Sequence, residues 1–216
     1  MAAVLGTATT LQRNAQGLTA QERDLLENIR EQTEKMEHTV DRILHMAALQ
    51  SGQLRLQKEW VPLEDMLVTA RKQIKTVCTD RPFQTRITKD LPLLYVDPQL
   101  LVQVLTNLLE NACRYTPSDR GIELEASAND TEIKVCIIDH GYGVPPGREE
   151  EIFLRFSQVK PPHGLGGSGL GLAICAAIIE LHGGRIWVRN RVAVRGAVFC
   201  FTVPRKTEPP MPAEGD

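Results

Sequence analysis

GIELEASANDTEIKVCIIDHGYG, residues 121–143, is the stretch that decides the fold. Apolar and polar residues alternate along 121–128 and again along 131–139, the period of two that half-buried strands show. Asn129-Asp130 between them is turn chemistry, so the two runs read as a hairpin. The second run ends on Asp139, followed by Gly141 and Gly143, where backbone can come close to a ligand. Before the hairpin, Asp97-Pro98 opens a strongly apolar helix that reaches about Tyr115. Earlier still, Val61-Pro62 opens a helix to about Val77, and short strands follow near 83–88 and 93–96. After the hairpin, residues 140–168 are rich in Gly and Pro and too long for a plain connection. A helix over 169–182, a Gly183-Gly184 turn and two strands ending near Val203 complete the order. It predicts an α/β fold over residues 60–204: a two-layer α/β sandwich with a mixed sheet and helices on one face. An α-helical hairpin over residues 1–52 precedes it, and the polar, Pro-rich tail 205–216 is expected to be disordered. Such a layout leaves function open.

Composition narrows the classes. Among 216 residues, 25 basic and 27 acidic side chains nearly cancel, without the basic surplus typical of nucleic-acid binding. An apolar fraction of 42% suffices for a packed core. Cys78, Cys113, Cys136, Cys175 and Cys200 are scattered and include no CxxC pair. That pattern supports no zinc site and predicts unpaired thiols in a reducing cytoplasm. No apolar run is long enough to cross a bilayer, so any membrane attachment is expected only through parts of a parent protein not in this chain.

Three segments carry chemistry. Asn107 and Asn111 are one turn apart on the apolar helix, so their amides share a face; with a nearby acid they suit a hydrated Mg²⁺ and its phosphates. Taken alone, this is also what a solvent-facing stripe looks like. Asp139, at a strand end, can accept a hydrogen bond from an adenine amino group, although an ordinary turn uses the same residues. Gly164-Leu165-Gly166-Gly167-Ser168-Gly169-Leu170-Gly171 runs directly into an apolar helix. Free N–H groups and the positive end of a helix dipole converge there, as a phosphate requires. It is neither a Walker loop nor a GxGxxG after a strand.

In this order and spacing, the segments closely resemble the N box and two glycine boxes of the histidine-kinase ATPase family, and Glu151–Phe156 looks like its F box. The resemblance implies a Mg²⁺ ligand in Asn111, with Asn107 supporting the metal and phosphate shell. It implies that Asp139 reads adenine, Gly141 and Gly143 shape the base pocket, and Tyr115 packs near adenine and ribose. Gly167, Ser168, Gly169, Leu170 and Gly171 would belong to the phosphate end of a lid anchored by Phe153 and Phe156. The lid segment between Gln158 and Gly167 is expected to be disordered or displaced without nucleotide. Arg114 stands where the family commonly has a phosphate-contacting Lys; the arginine keeps the charge but presents it as a planar fork. His140 and Tyr142 replace the usual Asn and Pro of the first glycine box and leave Asp139 and the glycines in place.

Residues 1–15 read as the tail of a helix without an N-cap, and Thr19-Ala20-Gln21-Glu22 is a capping-box pattern. Ile29, Met36 and Ile43 recur every seven residues, with Leu26, Thr33, Val40 and Ala47 in the companion seam. This stripe predicts a homodimer through the N-terminal helices, with packing onto the chain's own globular domain as the alternative. Ala2-Ala3-Val4-Leu5-Gly6 resembles sequence just after an H box, and residues 48–60 resemble the helix exit of Kdp-type potassium-responsive sensor kinases. What this implies is the cytoplasmic catalytic region of a sensor kinase whose parent lies in a bacterial inner membrane. Its cofactors would be ATP and Mg²⁺, its reaction phosphoryl transfer to a histidine, and its protein partner a response regulator. Neither His38 nor His45 has an H-box context, His163 falls in the lid, and His182 before the Gly183-Gly184 turn reads as a helix-end residue with its charge near the C-terminal dipole, so the chain alone is expected not to autophosphorylate. Gyrase-type members of the fold usually carry Glu where Asn107 stands, which speaks against efficient hydrolysis. A nucleotide-binding regulatory or interaction module without transferase activity is the other reading.

Overall fold

Asp97 begins the central helix as its sequence foretells. In the computed structural model, helix α2 (Pro98–Tyr115) starts with proline in its first turn, and the Asp97 side chain accepts a hydrogen bond from the Leu100 N–H at 3.2 Å. The structure describes residues 19, 21–29, 33, 55–75, 78, 81–155, 157, 169–192 and 194–207. Among the sequence expectations, the 1–15 helix, most of the heptad stripe, Phe156, Gly167, Ser168, His38, His45, His163 and the lid over 158–167 lie outside them. So does the tail beyond Thr207.

The first element of the main unit is strand β1 (Glu59–Val61), unforeseen in the sequence, which pairs antiparallel with β3 (Leu94–Val96). Helix α1 (Leu63–Gln73) has Glu64 and Asp65 in its first turn and Arg71 and Lys72 in its last, matching the helix dipole at both ends. It is shorter than the sequence suggests. Strands β2 (Phe83–Ile87), β4 (Ile122–Ala128), β5 (Glu132–Ile138), β6 (Arg185–Asn190) and β7 (Ala197–Pro204) form one sheet in the order β2-β4-β5-β7-β6. Only the β2–β4 pair is parallel, so the sheet is mixed.

Alternation along the strands decides the two faces. Ile122, Leu124 and Ala126 of β4, Ile133, Val135 and Ile137 of β5, and Phe199, Phe201 and Val203 of β7 are all buried. They share the core with Leu101, Leu105, Leu108 and Leu109 of α2 and with Ile174 and Ile178 of helix α3 (Gly171–Leu181). The intervening strand positions carry Glu123, Glu125 and Lys134, with an apolar patch of Cys136, Ile138, Val198 and Cys200 flanked by Trp187. Register places Cys136 opposite Cys200, and the structure joins them, as it joins Cys78 to Cys113 at the end of α2. This corrects the expectation of unpaired thiols: among the described residues, Cys175 alone is in no disulfide, and it is buried. Cross-strand register pairs cysteines 64 residues apart, which spacing alone does not reveal.

Residues 1–51 form a separate unit. Residues 21–29 are helical, and the capping box closes as expected. The Thr19 N–H donates to Glu22 Oε2 at 2.8 Å, while the Glu22 N–H donates to Thr19 Oγ1 at 3.3 Å.

Candidate functional site

Asp139 sits just beyond β5, 4% exposed. Its Oδ1 accepts the Gly141 N–H at 2.9 Å and the Ala197 N–H at 3.0 Å, while its own N–H donates to the Ala197 carbonyl at 2.9 Å. Burial pushes the carboxyl above the usual carboxylate range; those two amides, with His140 and Arg191 nearby, pull it partway back. With Oδ1 committed, Oδ2 makes no hydrogen bond among the described residues and is the acceptor left for a ligand.

The glycines after it have separate reasons to be glycine. A Cβ on Gly141 would lie 2.4 Å from the Tyr115 carbonyl, so the loop presses directly on the last residue of α2. Gly143 has φ +77°, and a Cβ there would meet Asn190 Oδ1 at 2.7 Å. The His140 N–H donates to Thr116 Oγ1 at 3.3 Å, which ties the loop to the C-cap of α2 a second time. Strand end and helix end thus form one wall.

Helix α2 carries four of the residues that the sequence singles out. Asn107 is buried on α2, and Asn111, Arg114 and Tyr115 are half-buried on its last turns. Asn111 offers a hard carboxamide oxygen one turn from Asn107, a donor suited to Mg²⁺ that keeps water and phosphate oxygens as its other ligands. Among the described residues, no group of three or more His, Cys, Asp or Glu could hold a metal ion. At the other end, Gly169 has φ +68°, Leu170 is buried, and Gly171 opens α3 without a side-chain cap, so the first N–H groups of that helix have no capping side chain. Phe153 is half-buried in a single 3-10 turn (Glu151–Phe153) whose Ile152 packs in the core.

The sequence missed three contributors. Thr116 and Ala197 fasten the Asp139 loop, yet a threonine after a helix and an alanine opening a strand give no local signal. Asn190 contacts the same loop from β6 and is legible only through the strand register. One expectation is corrected. His182, read as a helix-end charge, is buried: its Nε2 accepts the Asp97 N–H at 3.0 Å and its Nδ1 donates to the Ile178 carbonyl at 2.8 Å. Accepting at Nε2 requires the neutral ring, and burial lowers the pKa to match.

Against known proteins, the family described as histidine kinase-, DNA gyrase B-, and HSP90-like ATPase matches residues 96–207, just over half of the chain. Sensor protein KdpD of Escherichia coli (strain K12) is 38% identical over 170 residues, 79% of this chain and 19% of that protein. The adaptive-response sensory kinase SasA of Synechococcus sp. (strain JA-3-3Ab) is 32% identical over 200 residues, 90% of this chain and 53% of the relative. The chain therefore spans about half, or less, of the length of these relatives. Among solved structures, full-length ShkA in complex with AMPPNP aligns with TM-score 0.79 and 28% identity, covering 96% of this chain and 44% of that one. The nucleotide-free catalytic domain of histidine kinase ThkA aligns over 70% of this chain and 98% of its own, with TM-score 0.58 and 28% identity. Asp139, the glycine turn after it, the paired asparagines of α2 and the uncapped start of α3 all lie within the matched span, and the chain belongs to the histidine kinase-, DNA gyrase B- and HSP90-like ATPase family, on its sensor-histidine-kinase branch.

Proposed function

We propose that this chain is the ATP-binding catalytic region of a two-component sensor kinase, which passes the γ-phosphate of ATP to a histidine and onward to a response regulator. The observation that carries the reading is Asp139: a buried carboxylate with one oxygen saturated by backbone and the other available, beside the C-terminal turns of α2. An adenine amino group is a donor that such an acceptor can take. A neighbour 28% identical to this chain holds AMPPNP, whose base is adenine.

In this reading Asp139 orients the base, Tyr115 covers it, Arg114 neutralises phosphate charge, and Asn107 and Asn111 position the magnesium-phosphate group. Mg²⁺, when bound, withdraws charge from the phosphate oxygens. Gly169 to Gly171 supply backbone N–H groups toward the terminal phosphates, joined by Gly167, Ser168 and Phe156 of the lid. Catalysis is then mostly positioning and charge stabilisation. Exposed Leu25 and Ile29 on the N-terminal helix favour a homodimer through that hairpin. The Kdp-type, potassium-responsive assignment is supported by the 38% identity to KdpD, and attachment to a bacterial inner membrane would come from the parent protein. No described helix is itself long and apolar enough to cross a membrane.

Phosphoryl transfer requires an acceptor nitrogen in line with the γ-phosphate. The two described histidines are otherwise engaged: His182 inside the core, and His140 with Nδ1 at 3.1 Å from the Gly121 carbonyl and Nε2 at 3.6 Å from Glu123. With γ-labelled ATP, the chain alone should bind nucleotide yet take up no acid-labile phosphate. A version extended by the family's phosphoacceptor helix should be labelled, and Asn111→Ala should abolish the label. An extended protein that binds ATP and is never labelled would favour the regulatory-module reading.

A further inference from the structure

The loop that follows Asp139 is gripped at both ends by the β6–β7 hairpin. At its start, Asp139 and Ala197 exchange two hydrogen bonds: the Asp139 N–H donates to the Ala197 carbonyl at 2.9 Å, and the Ala197 N–H donates to Asp139 Oδ1 at 3.0 Å. At its end, Asn190 does the equivalent with a side chain. Its Oδ1 accepts the Val144 N–H at 2.7 Å and its Nδ2 donates to the Val144 carbonyl at 2.6 Å. One carboxamide therefore serves both polar groups of one residue, as a neighbouring strand would. Turning the amide over would set donor against donor and acceptor against acceptor, so the orientation is fixed by Val144 itself.

Asn190 and Ala197 are register partners at the last rung of the β6–β7 ladder, so the two grips are one rigid unit. Gly196 completes it, since a Cβ there would come within 2.1 Å of the Asp139 carbonyl. The ladder already runs from Arg185–Thr202 to Asn190–Ala197 through backbone, and the Asn190 side chain adds nothing to it. What the side chain does fix is Gly143-Val144, the end of the turn whose beginning is the Asp139 carboxylate.

We propose that Asn190 is a positioning residue for adenine recognition, holding Gly143-Val144 at the distance from Asp139 that the purine edge requires. The proposal rests on the reading of Asp139 as the adenine acceptor. Asn190 itself touches no nucleotide in this account. Its effect should therefore fall on the base-dependent part of binding and spare the phosphate-dependent part.

The test is calorimetry on the full 216-residue chain with ATP, GTP and inorganic tripolyphosphate in Mg²⁺, for Asn190→Ala, Asn190→Asp and the reference Asp139→Ala. Both Asn190 variants should lose about tenfold in ATP affinity, the scale of one or two buried hydrogen bonds. They should bring the ATP-to-GTP ratio towards one and leave tripolyphosphate affinity within about twofold of the unmodified chain. Asn190→Asp is decisive because it keeps the shape and the acceptor for the Val144 N–H but turns a second acceptor on the Val144 carbonyl. Wild-type behaviour of Asn190→Asp, or an equal loss of ATP and tripolyphosphate binding with a lowered melting temperature, would overturn the positioning role. A collapse of the ATP-to-GTP ratio in Asp139→Ala but in neither Asn190 variant would also overturn it. If Asp139→Ala itself leaves that ratio unchanged, the adenine reading fails and the proposal falls with it. Should the variants not fold, amide exchange at Val144 in the unmodified chain decides instead: ATP should slow it and tripolyphosphate should not, and an exchange rate indifferent to ATP would refute the proposal.

Discussion

A carboxylate held away from water by its own fold is a cost that only a ligand or a proton relieves, and Asp139 is such a group. Its folded pKa is raised, so its stabilising contribution is complete below the unfolded value and is lost as pH rises through the folded one. At neutral pH the apoprotein carries that penalty. Asp139→Asn keeps an acceptor for the Gly141 and Ala197 amides but removes the charge. Its apo melting temperature at pH 7 should match or exceed that of the unmodified chain, while ATP affinity falls; a clearly lower melting temperature would show that burial does not strain this carboxylate. Asp139→Ala loses the acceptor altogether and should weaken ATP binding by about 1–3 kcal/mol in calorimetry. At this scale the sequence was informative about identity and silent about cause. Asp139, Gly141 and Gly143 were legible as a motif, but the demand for Gly143 comes from a positive φ and from Asn190, a side chain 47 positions later. Motifs record which residue is needed, whereas the clash that makes it necessary belongs to the tertiary structure.

Elements bring the site together through their ends. The N-cap of α2 and the C-terminus of α3 meet at His182, whose neutral ring accepts the Asp97 N–H and donates to the Ile178 carbonyl. Burial is the larger influence on its lowered pKa, opposed by the Ile178 carbonyl; Lys58 lowers it further and Asp97 raises it. A depressed histidine pKa means that the unfolded chain binds the extra proton first. Stability should therefore be full above about pH 6.5 and decline as pH falls from there towards the folded pKa. Thermal unfolding at a series of pH values should show that decline, and His182→Gln should flatten it; an identical pH profile in the variant would exclude His182 as its source. Leu108 of α2 is fully buried, and Leu108→Ala should cost about 2–5 kcal/mol in denaturant unfolding. Most element boundaries were readable because period and punctuation agree, as at Asp97-Pro98. The strand β1, only three residues long, was not, because its pairing with β3 is made by register rather than by any run of its own. His182 was misread for the same reason: helix-end position suggested a charge, and only the neighbouring N-cap reveals the need for a neutral ring.

The whole molecule is two units, of which the second carries the sheet and the candidate site. Its class was legible from the alternating hairpin and the apolar helices around it. Its strand order was not: β7 lies between β5 and β6, and β2 joins β4 in parallel across 98–115, pairings that no local spacing dictates. The same long-range register produced the Cys136–Cys200 pair that scattered thiols concealed. The central claim at this scale is that one fold wall, built from the end of β5 and the last turns of α2, selects the adenine ring of a magnesium-bound nucleotide. Calorimetric titration of the unmodified chain with ATP and with GTP, each with Mg²⁺ and with a chelator, tests it most directly. The account predicts a single saturable ATP site, weakened by the chelator, that prefers ATP over GTP by about tenfold, the scale of a polar contact made to one base and unpaired with the other. Equal affinity for the two nucleotides, or binding indifferent to Mg²⁺, would contradict it.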